Sequence, residues 1–331
     1  MAIRPTRRRF IAIAGIFAGV ALAPGRPKAG AVPVQWRGSA MGAEAAITLY
    51  HPDPAAAEAV IGRAVLEIER VEAVFSLFRR DAALVRLNRD GRLDTAPAML
   101  HELLAHGRAM ARASDGAFDV TVQPLWALYA THFGRDGADP AGPDPSAIDR
   151  ARSLVGWRDL RSDGQAVWFA HPGMAATFNG IAQGYVTDRV ADLMRHAGFG
   201  DVLLNLGEFR AQGGHPDGRP WTVGVADPLA PDRLLETLEL RDGAVASSGG
   251  YGTVFDPAGR FHHLFDPASG LPSPSWAGVT VTAATATLAD GLSTALAVAA
   301  PECAEAILNR GGGDGAVLVA ADGAVRRLHR T

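Results

Sequence analysis

Residues 177–190 read TFNGIAQGYVTDRV, and the rest of the chain is interpreted around this stretch. Gly180 and Gly184 leave one turn of backbone without side chains, just before apolar residues recur at helical spacing. A bare backbone lets a ligand approach closely, and the free amides at a helix start suit an anion. The pattern also fits a plain helix cap with close packing, so the stretch alone leaves both interpretations open.

Regular secondary structure is predicted on both sides of this loop. The helix that follows it ends near Gly198, and residues 201–206 then form a buried strand closed by Gly207. An earlier helix begins at Asp53-Pro54, because Asp is a favoured N-cap and Pro a favoured first helical residue.

Further helices are expected before and after the central stretch. One covers residues 97–113 and leads into residues 114–122, a turn followed by a short extended run, and another opens at Leu288. Asp290 and Thr294 are four residues apart, so a helix there places both side chains on one face. Strand patterns are more frequent in the second half of the chain than in the first.

Residues 1–31 are predicted to be a twin-arginine signal peptide. Residues 6–11 read TRRRFI, and the apolar run over 11–23 is too short to span a bilayer comfortably. Small residues at 29–31 offer a cleavage site, and an uncleaved membrane anchor is the alternative. We therefore expect residues 32–331 to form the mature domain, located in the periplasm.

The charge balance argues against some partners. Residues 1–31 hold six basic residues and no acidic ones, so their removal changes the net charge from -3 to -9. An acidic surface disfavours nucleic acid and anionic lipid as partners. The chain has one cysteine, which excludes an intramolecular disulfide and a thiolate metal cluster.

A series of short motifs runs along the chain. They are AMG at 40–42, GAFD at 116–119, GIAQGY at 180–185, NLG at 205–207, SG at 248–249, HLFDPASG at 263–270, AD at 289–290 and ST at 293–294. Each motif alone would be weak, but this order and spacing are specific. The chain resembles the ApbE family of periplasmic flavin transferases from Met41 to the C-terminal strands.

The resemblance implies a fold and an activity. The fold would be α+β, with two lobes of mixed or antiparallel sheets flanked by helices. The family takes FAD, cleaves its pyrophosphate with Mg²⁺, and attaches FMN through a phosphoester to a Thr or Ser of a target protein. FAD is thus the expected substrate, Mg²⁺ the expected cofactor, and a flavoprotein that accepts FMN the expected partner.

Two details are similar to the NosX branch of the family. Asn179 precedes the GIAQG sequence, and Leu206-Gly207-Glu208 has one glycine fewer than is usual. That branch serves the flavoprotein of nitrous oxide respiration. The resemblance therefore implies a NosR-like membrane protein as the acceptor.

The resemblance also assigns residues to FAD binding. They are Met41, Phe78, Ala117, Phe118, Asp119, Thr177, Gln183, Ser248 and Leu264. The apolar residues among them would pack on the isoalloxazine or adenine ring, although such residues are more often core. The chain departs from the family at Thr177, where Asp is usual, and at Gln183, where Lys is usual. Ser293 stands where some members have a second metal-site Asp, and Gly250 replaces a common Asp.

The expected metal site combines three oxygen donors. Mg²⁺ prefers hard oxygen ligands, and the Asp290 carboxylate, the Thr294 hydroxyl and the Gly180 carbonyl would supply them. An acidic residue near a helix start is otherwise explained by the helix dipole. The family resemblance favours the metal role.

His263 is the expected proton acceptor. Its ordinary pKa near 6.5 suits removal of a hydroxyl proton from an incoming Thr. Adjacent residues on a strand point to opposite faces, so only one of His262 and His263 can face the site. Asp266 is assigned with His263 to catalysis, and orientation of its own loop is the alternative.

Three functions remain open from the sequence. The first is FMN transfer to a protein, and the second is hydrolysis of FAD to FMN and AMP with water as the acceptor. The third is a non-catalytic flavin-binding assembly factor, which the residues at 177 and 183 make conceivable.

Overall fold

The computed structural model describes residues 32–331, and the predicted signal peptide lies outside them. The helices are α1 Pro54–Phe75, α2 Ala83–Asp90, α3 Ala98–Ala113, α4 Gln123–Phe133, α5 Pro145–Arg152, α6 Ala182–His196, α7 Ala286–Val298 and α8 Ala304–Gly311. The first strands are β1 Val32–Ala40, β2 Ala43–His51, β3 Arg92–Leu93, β4 Leu160–Ser162, β5 Val167–Phe169, β6 Val202–Asn205 and β7 Phe209–Gln212. The later ones are β8 Trp221–Asp227, β9 Ala230–Leu240, β10 Gly243–Ser248, β11 Gly278–Ala283, β12 Gly315–Val319 and β13 Val325–His329.

One eight-stranded sheet joins the two halves of the chain. Its strand order is β1-β2-β6-β7-β10-β11-β12-β13, and every neighbouring pair is antiparallel. A three-stranded sheet β3-β5-β4 and the hairpin β8-β9 complete the strands. The predicted α+β fold with antiparallel sheets flanked by helices is confirmed.

Helix α1 begins with the Asp-Pro cap that the sequence predicts. The Asp53 side chain accepts hydrogen bonds from the amides of Ala55 and Ala56, and Pro54 occupies the first helical position. The apolar positions recur every three or four residues and are all buried against the sheet and α6. These positions are Val60, Ala64, Ile68, Val71 and Phe75. None of the helices in residues 32–331 combines the length and the apolar character needed to cross a bilayer.

Helices α6 and α7 pack with their backbones in contact. A Cβ atom on Gly184 would lie 2.2 Å from the carbonyl oxygen of Ala286. Gly184 is thus required for helix packing, which is the second of the two interpretations that the sequence left open. A Cβ on Gly180 would lie 3.0 Å from the Thr294 side chain, so the central loop lies directly on α7.

Two boundaries differ from expectation. Helix α7 begins at Ala286 and not at Leu288, because the Thr285 hydroxyl caps it by accepting the Leu288 amide at 3.3 Å. The short extended run expected within residues 114–122 is wrong, since this segment is a loop without strand pairing. The Asp119 carboxylate causes the turn, because it accepts both the amide and the hydroxyl of Thr121.

Candidate active site

A cleft of about 950 Å³ opens where loops from both halves of the chain converge. Its walls come from the β1–β2 turn, the loop after α3, and the starts of α6 and α7. The β6–β7 turn and the end of β10 close another side. This volume is at the upper end of the range for small-molecule sites, which suits a dinucleotide.

The cleft collects nearly all of the residues that the sequence singled out. Those that line it are Met41, Phe78, Ala117, Phe118, Asp119, Thr177, Gly180, Gln183, Ser248, His263, Leu264, Asp290 and Thr294. Asp266 does not line it. The Asp266 carboxylate instead accepts the amides of Ala268 and Ser269, at 2.9 and 3.1 Å, and so shapes its own turn. This geometry fits the alternative of loop orientation.

Asp290 is a buried carboxylate with a single hydrogen-bond donor among the described residues. It is 3% exposed, and the amide of Gly184 donates to its Oδ2 at 2.8 Å. Burial raises the pKa of Asp290 to about 7; the charge of Asp188 raises it as well, while the Gly184 amide opposes the shift. A carboxylate in this state gains strongly from a cation beside it.

Neutral oxygen atoms lie close to Asp290 along α7. The Thr294 hydroxyl lies 3.3 Å from the Gly180 carbonyl oxygen, so the predicted contact between α7 and the central loop is present. The Ser248 hydroxyl lies 2.7 Å from that of Ser293 and 3.3 Å from that of Thr294. Ser248, at the end of strand β10, therefore fixes the Thr294 hydroxyl, and both residues line the cleft.

The two adjacent histidines have different surroundings. The Nε2 atom of His262 lies 3.1 Å from the Ser273 carbonyl oxygen, and this ring does not line the cleft. His263 lines the cleft, and its Nδ1 lies 3.2 Å from the amide nitrogen and 3.3 Å from the carbonyl oxygen of Thr253. A Cβ on Gly252 would lie 2.9 Å from the His263 ring, so the bare backbone there makes room for the imidazole.

His263 is a neutral imidazole at pH 7. Burial, with a smaller contribution from the neighbouring His262, lowers its pKa to about 4. A neutral ring can accept a proton at Nε2 if Nδ1–H donates to the Thr253 carbonyl. The alternative tautomer, in which Nδ1 accepts the Thr253 amide, carries the proton on Nε2 and cannot act as a base.

Hydrogen bonds and packing contacts fix the residues Asp119 and Gln183, which the resemblance assigns to FAD binding. Besides Thr121, the Asp119 carboxylate accepts the amide of Trp157 at 2.9 Å, so it fixes the loop while it borders the cleft. Gln183 lies against the β6–β7 turn, because a Cβ on Gly207 would meet its side-chain nitrogen at 2.6 Å. Gly207 has a φ of +102°, which also favours glycine.

Met41 and Phe78 form the outer rim. Met41 adopts a φ of 52°, uncommon for a residue with a side chain, in the tight turn between β1 and β2. Its amide donates to the Glu72 carboxylate at 2.8 Å, which anchors the turn on α1. Phe78 is 69% exposed, and such an aromatic surface is available to a flat ring system.

The cleft contains no fixed cation. None of the described residues that line it is Lys or Arg, whereas Glu44, Asp119, Glu208 and Asp290 are acidic. No group of three or more His, Cys, Asp or Glu side chains forms a metal site within residues 32–331, so a metal there needs hydroxyl and carbonyl donors as well.

Sequence reasoning missed several residues that the structure places in the wall. Glu208 was noted only for its resemblance to the NosX branch and Asn205 only as part of a motif, while Trp126 and Tyr251 were not assigned. The available signal was the position of residues 205–208 directly after a buried strand, where loops commonly carry functional groups.

Solved structures share this architecture. The apo form of Pseudomonas stutzeri flavinyl transferase ApbE matches with a TM-score of 0.76 at 30% identity, covering 90% of this chain and 95% of that one. The ApbE protein of Thermotoga maritima matches with a TM-score of 0.78 at 26% identity, covering 90% and 97%. The fold and the cleft together define an enzyme of the flavin transferase class.

Sequence comparisons identify the family within that class. The model of the ApbE family matches residues 41–318. The FAD:protein FMN transferase of Haemophilus influenzae is 30% identical over 243 residues, which is 70% of each chain. That of Klebsiella pneumoniae is 28% identical over 287 residues, 83% of this chain and 81% of the relative. The chain belongs to the ApbE family.

Proposed function

We propose that this protein is an FAD:protein FMN transferase that attaches FMN through a phosphoester to a Thr or Ser of a target protein. The observation that carries the proposal is the convergence of His263, Asp290 and Thr294 on one cleft of dinucleotide size. Two relatives that bear this enzyme name align with 83% and 70% of the chain.

The reaction exchanges one phosphorus–oxygen bond for another. The hydroxyl oxygen of the acceptor forms a bond to the phosphorus of the FMN half. The bond from that phosphorus to the bridging oxygen breaks, and AMP leaves with the electron pair. The hydroxyl proton is taken by the enzyme, and we assign it to Nε2 of His263. The Thr253 carbonyl orients the ring for this role by accepting Nδ1–H.

The donors around Asp290 fit Mg²⁺. The Asp290 carboxylate, the Thr294 hydroxyl and the Gly180 carbonyl are hard oxygens, and the last two lie 3.3 Å apart. The chemistry that Mg²⁺ supplies when bound is neutralisation of the phosphoryl oxygens. No Lys or Arg is among the described residues that line the cleft, and Gln183 is uncharged, so we assign this neutralisation to Mg²⁺.

The setting of the reaction is a further part of the proposal. The twin-arginine pattern at residues 6–11 supports export of the folded protein to the periplasm. The form of residues 179–184 and Glu208 supports a place in the NosX branch, with a NosR-like membrane protein as the acceptor.

Intact mass of the acceptor tests the activity. The protein is incubated with FAD, MgCl₂ and the candidate acceptor, and we expect the acceptor to gain the mass of one FMN phosphoester. Release of free FMN and AMP with an unmodified acceptor would instead identify a pyrophosphatase. Bound FAD that stays intact would identify a non-catalytic flavin-binding factor.

Export is tested separately. Replacing Arg7 and Arg8 by Lys removes the twin arginines while it keeps the charge. We expect the precursor to accumulate in the cytoplasm, measured by fractionation and immunoblotting. Normal export of this variant would contradict the twin-arginine assignment.

A further inference from the structure

Glu208 is a buried acidic residue to which the reaction described above gives no role. It is 6% exposed and lies at the end of the β6–β7 turn, in the wall of the cleft. Its Oε2 accepts the Ser247 amide at 3.2 Å, and no Lys, Arg or His pairs with its carboxylate within residues 32–331. Burying a carboxyl group without a counter-charge is costly unless the group is neutral or a cation joins it.

The charged group that acts on Glu208 is Asp290. Burial, together with the negative charge of Asp290, raises the pKa of Glu208 well above its usual range. Both acidic residues line the cleft, and none of the described residues that line it is Lys or Arg.

Glu208 is also joined to the expected metal donors through strand β10. Ser247 donates its amide to Glu208, while the next residue, Ser248, contacts the Thr294 hydroxyl at 3.3 Å. Thr294 in turn contacts the Gly180 carbonyl oxygen at 3.3 Å. The end of strand β10 therefore contacts both groups, the Glu208 carboxylate through the Ser247 amide and the Thr294 hydroxyl through the Ser248 hydroxyl.

We propose that Glu208 is the second carboxylate of the Mg²⁺ site, facing Asp290 across it. The inference rests on the proposed function and adds a residue to it. Carboxylates are preferred Mg²⁺ ligands, and a second one increases affinity for a divalent cation. Glu208, in the β6–β7 turn, supplies this second carboxylate from outside α7.

The alternative is a neutral Glu208 that only donates a hydrogen bond or supports the turn. Glu208→Gln separates the two roles, because Gln has nearly the same shape, still accepts the Ser247 amide, and carries no charge. Glu44→Gln is the matched control, since Glu44 is an exposed acidic residue that lines the same cleft.

Isothermal titration with MgCl₂, in the absence and presence of FAD, tests the proposal. We expect Glu208→Gln to weaken Mg²⁺ binding about tenfold or more and Glu44→Gln to leave it unchanged. Glu208→Asp should recover part of the loss, and melting curves without metal should show all variants folded. Equal Mg²⁺ affinity in wild type and Glu208→Gln would overturn the role of Glu208 and leave the transferase function standing. No Mg²⁺ binding by wild type, even with FAD, would overturn both.

Discussion

The contact between α6 and α7 carries an aspartate at each end, and the two are satisfied to different degrees. Asp188, on α6, accepts the amides of Ala286 and Thr287 and the Thr287 hydroxyl at the start of α7. Asp290, on α7, accepts a single hydrogen bond from the described part of the chain, that of the Gly184 amide near the start of α6. The Asp188 carboxylate has a structural role because several hydrogen-bond donors surround it. The Asp290 carboxylate has one donor, which leaves it available to a ligand.

The largest expected effect is that of Asp290→Asn on turnover. Asn still accepts the Gly184 amide, so the helix contact persists while the metal-binding charge is lost. We expect FMN transfer to fall on the order of a thousandfold or more, because stabilisation of phosphoryl charge is worth several kcal/mol. Single-turnover transfer measures this, with circular dichroism as the check on folding. Normal turnover in the folded variant would place the metal elsewhere.

The two adjacent histidines give a second comparison, with the next largest expected effect on turnover. His263→Gln removes the proposed proton acceptor, and we expect transfer to slow on the order of a hundredfold while FAD still binds. His262→Gln should have a much smaller effect, since that ring contacts the Ser273 carbonyl and not the cleft. Transfer rates at saturating FAD distinguish them, and equal losses would point to a structural role for both.

Substitution of Asp188 should lower stability and spare turnover, the opposite of what we expect for Asp290. Asp188→Ala removes three hydrogen bonds at the start of α7, so we expect the free energy of unfolding to fall by about 2–3 kcal/mol. Turnover per folded molecule should stay within a few-fold of wild type at low temperature. Urea unfolding measures the loss, and an unchanged midpoint would show that the cap is not needed.

The smallest expected effect is a pH dependence of stability. Because the folded-state pKa of His263 is about 4 and the unfolded one about 6.5, the unfolded state takes up the proton first as pH falls. The contribution of the neutral His263 ring to the free energy of unfolding is complete above pH 6.5. It is lost between pH 6.5 and 4, by about 1–2 kcal/mol at pH 5. His263→Gln should therefore lose less stability than wild type between pH 7.5 and 5, measured by urea unfolding. An identical pH slope would contradict the buried neutral state.

Local sequence patterns predicted those parts of the fold that depend on neighbouring residues. The Asp53-Pro54 start of α1 and the strand that ends at Asn205 follow from capping and periodicity. Strand β9 was not predicted, because its polar residues, on a hairpin outside the main sheet, give no clear buried face. The reciprocal contacts of Asp188 and Asp290 span about a hundred residues of sequence, which no local pattern encodes.

The candidate site was predictable mainly through family resemblance. Physical reasoning placed Asp290 and Thr294 on one helix face, and the structure confirms that both line the cleft. It could not tell that Asp266 points its carboxylate into its own turn, because a loop conformation decides that. Glu208 was not assigned to the site for the same reason, since its burial depends on how the β6–β7 turn packs against β10.

Asp290 has one hydrogen-bond donor among the described residues, and we infer that a metal ion and FAD bind together beside its carboxylate. Titration of Mg²⁺ with and without FAD, in wild type, Asp290→Asn and Asp188→Asn, tests this most directly. We predict that FAD tightens Mg²⁺ binding in wild type and in Asp188→Asn, and that Asp290→Asn abolishes the coupling. Equal Mg²⁺ affinity with and without FAD in wild type, or full coupling in Asp290→Asn, would contradict it.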